Sequence, residues 1–204
     1  MAQLHITRVK REFKEILSSE EAQKCAIKVE IVDERDVTKL KGVIAGPPDT
    51  PFEGGTYHLD IQIPDSYPFN PPKVKFTTKI WHPNISSVTG TICLDILKDQ
   101  WAAAMTLRTV LLSIQALLTA AEPTDPQDAV VAKQYMENID LYKKTARHWA
   151  IAYAGAPKNA KMDTKEFDEK LAQMEKMGIN EHEARVALST YSLNLERAVE
   201  SIFS

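Results

Sequence analysis

Two side chains near the middle of the chain have types and spacing that suit acyl transfer. Cys93 lies in the apolar run Thr91–Leu97, and Asn84 of the triplet His82-Pro83-Asn84 stands nine residues before it. A thiol can carry an acyl group as a thioester, and a carboxamide can donate a hydrogen bond to the oxyanion formed when the thioester is attacked. The pairing therefore suggests acyl transfer, although a lone cysteine in an apolar run is more often a core residue.

Length and composition limit what the chain can be. Its 204 residues are 44% apolar, enough for one well-buried core and a small second unit. The formal net charge of −3 argues against binding to nucleic-acid phosphates. No signal peptide, membrane-spanning run, phosphate-binding glycine loop or metal-ligand spacing is visible, so we expect no metal, no cofactor and no membrane partner.

The cysteine content indicates the compartment. Cys25 and Cys93 are the two cysteines of the chain, too few for a disulfide framework, and they fit a reducing environment. We expect a cytoplasmic protein that could also enter the nucleus. Cys25 is interpreted as an ordinary core thiol.

Hydrophobic periodicity predicts an α+β fold, a four-stranded antiparallel meander with flanking helices. Alternating apolar residues predict four strands, at 27–31, 40–45, 57–63 and 74–76. Apolar stripes at helical spacing predict helices at 2–18, from an N-cap at Thr106, and at 128–137 and 140–153.

A change in composition marks a second unit. Ten of the eleven prolines lie between Pro47 and Pro126, and only Pro157 follows. We predict a core domain over 1–155, a linker over 156–163 and a small three-helix bundle over 164–204. Asn180 and Asn194 are the expected N-caps of its last two helices.

Three motifs in order carry a resemblance to a known family. They are Tyr67–Pro72, rich in proline, then His82–Asn84, then Ile92–Asp95. Together they resemble the ubiquitin-conjugating enzymes over about residues 4–155, which implies the UBC fold. The tail resembles a ubiquitin-associated (UBA) domain, with Met177–Ile179 where such domains usually have Met-Gly-Phe or Met-Gly-Tyr.

The resemblance implies catalytic roles. Cys93 would take ubiquitin from an activating enzyme, which consumes the ATP, and pass it to a lysine. Asn84 would steady the oxyanion or hold the loop beside it; it could also be only a turn asparagine. Asp125 would be an acidic gate for the incoming lysine, or only a solvated turn residue. His82 would brace its turn through hydrogen bonds rather than act as a base.

The remaining implied roles are contacts with partner proteins, each with core packing or a solvated helix face as the alternative. The residues are Arg8 and Arg11 for the activating enzyme, Phe69, Ala103 and Ala104 for RING-type ubiquitin ligases, Leu112 for the carried ubiquitin, and Tyr135 for the acceptor ubiquitin.

The tail is expected to bind ubiquitin non-covalently, because UBA domains do so. The implied surface comprises Met177, Gly178, Ile179, Val199, Ile202 and Phe203. Gly178 also has a purely structural explanation, as the left-handed residue that ends a helix while Met177 packs inward. UBA-tailed family members also imply polyubiquitin chains of the type that directs proteins to the proteasome.

Two other functions remain open from the sequence. A cysteine hydrolase could use Cys93 with a histidine, and His82 stands in a suitable order, although no third orienting group is evident. A non-catalytic ubiquitin-binding scaffold is the other alternative, and the presence of Cys93 argues against it.

Overall fold

A computed structural model describes residues 3–158 and 161–204, and a four-stranded antiparallel sheet forms the centre of the larger unit. Its strands follow chain order, β1-β2-β3-β4, so each pairs with its sequence neighbour. The strands are β1 Ile27–Asp33, β2 Asp36–Ala45, β3 Thr56–Gln62 and β4 Lys73–Phe76. The predicted α+β class and meander are confirmed.

Alternation along the strands separates a buried face from a solvated face. Tyr57, Leu59 and Ile61 of β3 are buried, whereas the residues between them are exposed. Leu59 and Ile61 pair across the sheet with Phe76 and Val74 of β4, which continue the same face. Helices cover this apolar face, and the opposite face carries charged side chains.

Helices precede and follow the sheet. They are α1 Leu4–Ser18, α2 Glu20–Lys24, α3 Leu107–Thr119, α4 Ala129–Glu137 and α5 Ile139–Ala154, with a single-turn 3-10 helix at Asp95–Leu97. The predicted N-cap of α3 is confirmed, since the Thr106 hydroxyl accepts from the Thr109 N–H. The apolar pattern gave no sign of α2 or of the 3-10 helix, because both are too short to show a helical period.

The tail forms a bundle of three helices with its own apolar core. The helices are α6 Lys165–Lys176, α7 Glu181–Thr190 and α8 Leu195–Phe203. Asn180 caps α7 and Asn194 caps α8, as predicted. The boundaries of the two units stay a prediction, and residues 159 and 160 of the expected linker lie outside the described residues. In the described part of the chain no helix is long and apolar enough to cross a membrane.

The tail bundle packs against α4 and α5 through buried hydrogen bonds. The indole N–H of Trp149 donates to the Ser189 hydroxyl over 2.9 Å, and the Gln134 amide donates to the Ser189 carbonyl over 3.2 Å. Gln134 in turn accepts from the indole N–H of Trp81 over 2.9 Å. A continuous hydrogen-bonded path therefore runs from the tail to the segment beside the His-Pro-Asn triplet.

A polar cluster completes this interface. The His148 ring stacks on Phe167 with 3.8 Å between centroids, and its Nδ1 lies 3.0 Å from an Asp168 carboxylate oxygen. The Arg185 guanidinium donates to His148 Nε2 over 3.1 Å and to the Tyr153 hydroxyl over 3.0 Å. His148 must therefore donate from Nδ1 and accept at Nε2, which fixes its tautomer.

The Ser189 hydroxyl gives a test of tail docking. Ser189→Ala leaves the buried Trp149 indole N–H without its acceptor, which should lower the free energy of unfolding by about 1–3 kcal/mol in urea denaturation. Ser201→Ala is the matched control, because the Ser201 side chain is exposed and bonds only to the carbonyl of Ala198 in its own helix. Equal effects of the two substitutions on the free energy of unfolding would contradict docking of the tail through Ser189.

Candidate active site

Cys93 lies in a short extended segment tied to the His-Pro-Asn turn. Its N–H donates to the Asn84 carbonyl over 2.8 Å, and an antiparallel bridge pairs Ile85 with Ile92. Gly90 allows the tight turn before this segment, with φ +75° and a hypothetical Cβ only 1.9 Å from the Phe76 carbonyl oxygen. The cysteine side chain is partly exposed rather than sealed in the core, as a nucleophile requires.

The Asn84 side chain is fully buried, and both ends of its amide are used. Its nitrogen donates to the carbonyls of Glu122 and Asp125, each over 2.9 Å. Its oxygen accepts from the Glu122 N–H over 2.8 Å. Because both amide hydrogens have acceptors, the geometry favours the loop-holding role over donation to an oxyanion. We call residues 122–125, which this amide holds at both ends, the gate turn.

His82 is enclosed in the same turn and has two fixed partners. Nδ1 accepts from the Asn84 N–H over 3.0 Å, so Nε2 carries the proton and donates to the Leu117 carbonyl over 2.9 Å. Burial lowers the pKa of this imidazole to about 4. The ring therefore braces the turn as a neutral group, and it has no free nitrogen with which to accept a substrate proton.

Two charged groups from different segments of the chain approach the Cys93 sulfur. A carboxylate oxygen of Asp125, in the gate turn, lies 3.6 Å from Sγ, and the ammonium of Lys98 lies 3.6 Å from it as well. The charge at Cys93 raises the pKa of Lys98, so this cation stays protonated. Sequence reasoning missed Lys98; its position five residues after the cysteine, just past the 3-10 helix, was the available signal.

The cysteine opens into a shallow cleft of about 450 Å³. Its lining is Asn84, Cys93, Leu94, Asp95, Ser113, Ala116, Leu117, Ala120, Glu122 and Asp125. A larger groove of about 600 Å³ crosses the outer face of the sheet, but it is lined by lysines and strand residues and contains no cysteine. The cleft beside the sulfur is therefore the candidate active site, and its shallowness suits a macromolecular acyl group more than an enclosed small molecule.

The arrangement can hold an acyl group and admit an amine. A thioester at Cys93 would face solvent, with the Asp125 carboxylate close enough to attract a lysine ammonium. A hydrolase would need a base to activate water, and His82 is committed to two internal hydrogen bonds. The geometry therefore favours transfer over hydrolysis.

The predicted partner-contact residues differ in exposure. Phe69 is 70% exposed and lies on the proline-rich loop. Arg11 and Ala104 are exposed, and Leu112, Tyr135 and Ala103 are half-buried. Arg8 is instead largely enclosed, with its side chain 16% exposed and its guanidinium bonded to Glu12.

The tail loop also has a mixed character. Gly178 has φ +84°, so it is the left-handed residue that ends α6. Met177 is 54% exposed and Phe203 71%, whereas Ile179 is only 7% exposed and packs in the bundle core. Val199 and Ile202 are half-buried. The exposed apolar surface of the predicted ubiquitin site therefore comes mainly from Met177 and Phe203.

Comparison with known proteins agrees with this geometry. Residues 8–150 match the family model described as ubiquitin-conjugating enzyme. Over 204 residues, covering 100% of both chains, the sequence is 62% identical to ubiquitin-conjugating enzyme E2 K of Homo sapiens. It is 60% identical, with the same full coverage, to ubiquitin-conjugating enzyme E2-22 kDa of Drosophila melanogaster. The solved E2 domain of a Toxoplasma gondii ubiquitin-conjugating enzyme aligns with TM-score 0.67 and 52% identity over 73% of this chain and 98% of that one.

Lys98 should increase the reactivity of the cysteine. Its ammonium lies 3.6 Å from Sγ and attracts the negative charge of an attacking sulfur, so Lys98→Met should slow alkylation of Cys93 by iodoacetamide by a factor of about three at low salt. Mass spectrometry of the Cys93 peptide measures the rate. Lys73→Met, which removes an exposed lysine of β4, is the control and should have no effect. Because salt screens exposed charges, the difference should shrink in 1 M salt; equal rates at low salt would contradict this role.

The buried imidazole of His82 makes stability depend on pH. The pKa is about 4 when folded and 6.5 when exposed, so between these values the unfolded chain binds more protons. The free energy of unfolding should therefore fall as pH drops from 6.5 toward 4, by up to about 1.4 kcal/mol per pH unit for this histidine. Urea denaturation across that range measures the slope.

The dependence of the free energy of unfolding on pH should be weaker in His82→Gln, whatever the stability of this variant at neutral pH. His58→Gln is the control, because His58 is exposed on β3 and should leave the slope as it is. An unchanged slope in His82→Gln would contradict the assignment of a buried neutral imidazole.

Proposed function

This chain belongs to the ubiquitin-conjugating enzymes, and we propose from that premise that Cys93 is the residue that carries ubiquitin. The family transfers ubiquitin and acts with ubiquitin, activating enzymes and ubiquitin ligases. The observation that supports the proposal for Cys93 is its partly exposed sulfur, 3.6 Å from a carboxylate that a buried asparagine holds in place.

Loading is an exchange between two thioesters. The Cys93 thiolate attacks the carbonyl carbon of ubiquitin held on the activating enzyme, a new C–S bond forms, and the thiolate of the activating enzyme leaves. The two thioesters have similar energies, so this step needs an accessible and partly ionised thiol rather than a strong base. The Lys98 ammonium lies 3.6 Å from the sulfur, where it can attract the attacking thiolate.

Discharge replaces the C–S bond with an amide. A neutral lysine amine attacks the carbonyl, Cys93 leaves as a thiolate, and the amine loses a proton to solvent. Asp125 is proposed to orient the lysine and hold its ammonium until desolvation favours the neutral amine. Asn84 is proposed to act by fixing the gate turn that carries Asp125, and His82 by bracing the turn that carries Asn84.

Partner contacts are proposed on α1 and on the two loops that carry Phe69 and Ala103. Arg11, on α1, is proposed to meet the activating enzyme, with Arg8 contributing through its place on the same helix. Phe69, Ala103 and Ala104 are proposed to meet RING-type ligases, because an exposed aromatic flanked by prolines is a suitable anchor.

Two half-buried residues are proposed to meet ubiquitin itself. Leu112 on α3 is proposed to contact the carried ubiquitin. Tyr135 on α4 is proposed to contact the acceptor ubiquitin, with its ring packed against Tyr142 at 4.8 Å between centroids.

The tail is proposed to be a UBA domain that binds ubiquitin non-covalently. Its three-helix bundle, the left-handed Gly178 and the exposed Met177 and Phe203 support this assignment. Ile179 contributes little exposed area, so the affinity should be weak. We further propose that the protein builds chains for proteasomal degradation in the cytoplasm, with the nucleus as a second location.

One experiment tests the central proposal. The protein is mixed with activating enzyme, ubiquitin and ATP, and the products are separated on a non-reducing gel. We expect an adduct that thiol reagents remove and that Cys93→Ala abolishes, whereas Cys25→Ala retains it. An adduct that forms equally in Cys93→Ala would exclude this residue. Cleavage of a ubiquitin C-terminal ester without activating enzyme would indicate a hydrolase instead.

Asn84→Ala should separate the two half-reactions. Loading should stay near the wild-type rate, because the exchange does not use the gate turn. Discharge to free lysine should slow by about 10²-fold, since the turn loses its anchor and Asp125 loses its position. Single-turnover discharge of the preloaded thioester measures this, and a normal discharge rate would remove the proposed role.

Two exposed phenylalanines permit a reciprocal test of the partner surfaces. Phe203→Ala should weaken non-covalent ubiquitin binding, followed as NMR shifts in the full-length protein, and leave ligase stimulation intact. Phe69→Ala should weaken ligase stimulation and leave non-covalent ubiquitin binding intact. Phe203 and Phe69 are 71% and 70% exposed, so the two substitutions remove similar areas of exposed apolar surface. Absence of ubiquitin-induced shifts at Met177 and Phe203 in the wild type would contradict the tail proposal.

A further inference from the structure

Glu12 is a buried carboxylate that the chemistry at Cys93 does not use. It lies on α1 with its side chain only 1% exposed, and it accepts three hydrogen bonds. The donors are the Arg8 guanidinium at 2.6 Å, the Tyr67 hydroxyl at 2.7 Å and the Leu107 N–H at 3.0 Å. A carboxyl group buried this deeply requires hydrogen-bond partners, and these three donors, one of them the charged Arg8, provide them.

The three donors come from three separate segments of the chain. Arg8 belongs to α1, Tyr67 to the proline-rich loop that presents Phe69, and Leu107 to the first turn of α3. Leu107 directly follows the loop that contains Ala103 and Ala104. A single carboxylate therefore joins α1 to both loops on which the proposed ligase contacts stand.

Further contacts strengthen this junction. The Arg8 guanidinium also donates to the Met105 carbonyl over 3.0 Å, so α1 holds the Ala103 loop at a second point. The Trp101 indole N–H donates to the Pro68 carbonyl over 2.8 Å, which links the two loops directly. The rings of Tyr67 and Trp101 pack at 5.9 Å between centroids.

The loops depend on such anchors because they lack regular structure. Residues 64–72 and 101–106 lie outside the strands and helices, so side-chain contacts fix their positions. The carboxylate also sits at the N-terminus of α3, where the helix dipole and the Leu107 N–H, which has no acceptor within the helix, favour a negative charge. A carboxylate at position 12 therefore suits this junction better than a neutral amide.

We propose that Glu12 is a positioning residue that fixes the Phe69 and Ala103 loops relative to α1 and thereby shapes the surface for the activating enzyme and RING-type ligases. This inference rests on the proposed function for the identity of the partners. It also gives Arg8 a different role, because its guanidinium holds this surface together from inside rather than presenting a free charge.

The junction and the reactive cleft lie at opposite ends of α3. Leu107 begins the helix, whereas the cleft is lined by Ser113, Ala116 and Leu117 from its later turns. Loss of the Glu12 charge should therefore act on partner binding more than on the reacting atoms. A general loss of folding would lower every rate together, so the two effects can be separated.

The test uses Glu12→Gln, which keeps the shape of the side chain and removes its charge. Loading is measured over a range of concentrations of this protein with a fixed amount of activating enzyme. KM should rise about tenfold with little change in kcat, as expected when one charge-assisted junction is lost. The ratio of RING-stimulated to unstimulated lysine discharge should fall by a similar factor. Glu30→Gln, on the outer face of β1, is the charge-matched control and should leave both quantities unchanged.

Tyr67→Phe is the second variant, in case Glu12→Gln does not fold. It removes only the hydroxyl that donates to Glu12 and keeps the ring beside Trp101, so it should raise KM in the same direction by a smaller factor. Amide NMR spectra of the variants should show shifted signals for Phe69, Ala103 and Ala104. The signals of Cys93 and Asp125 should stay where they are in the wild type.

The outcomes separate this inference from the proposed function. If wild-type protein forms no thioester, the proposed function fails, and the NMR spectra alone still decide whether Glu12 positions the loops. If the wild type loads but a folded variant keeps the wild-type KM, stimulation ratio and loop signals, the inference is overturned. Equal losses in the rate of loading by the activating enzyme and in the rate of unstimulated lysine discharge would also overturn the inference, because they would indicate a general structural defect.

Discussion

The candidate active site depends on one buried amide. Asn84 connects the turn before Cys93 to the carbonyls of Glu122 and Asp125, far along the chain, and its amide oxygen accepts from the Glu122 N–H. Pro83 adds to this connection, since its carbonyl accepts from the N–H groups of Gln127 and Asp128. Leaving such groups unpaired in the interior would be costly, so the gate turn has little freedom to move away from the sulfur.

This constraint extends beyond the cleft. His82 fixes the backbone of Asn84 from one side and the end of α3 from the other. Trp81 continues the path through Gln134 to Ser189 in the tail bundle. The reactive segment, the two helices after it and the tail therefore share one set of buried polar contacts. Enzymes commonly place reactive groups on loops that a rigid scaffold holds in this way.

The sequence predicted most of the regular elements, whereas Cys93 stays a predicted nucleophile. Alternation predicted the four strands, and side-chain caps such as Thr106 predicted where helices begin, because both are short-range patterns. Lys98, α2 and the 3-10 helix were missed although they are local features, but the other missed features are long-range. The Asn84 amide bonds to residues 38 and 41 positions away, and the enclosure of Arg8 depends on a glutamate whose other partners lie in distant loops. Ile179 looked like a candidate contact residue until the bundle placed it in the tail core.

Asn84 is proposed to act through the gate turn rather than on the oxyanion itself. A double-mutant cycle of Asn84→Ala and Asp125→Ala tests this role by single-turnover discharge of preloaded ubiquitin to free lysine. If Asn84 works by positioning Asp125, the double variant should be no slower than the slower single variant. If the two losses multiply, the residues act independently, and the account of the gate turn would be contradicted.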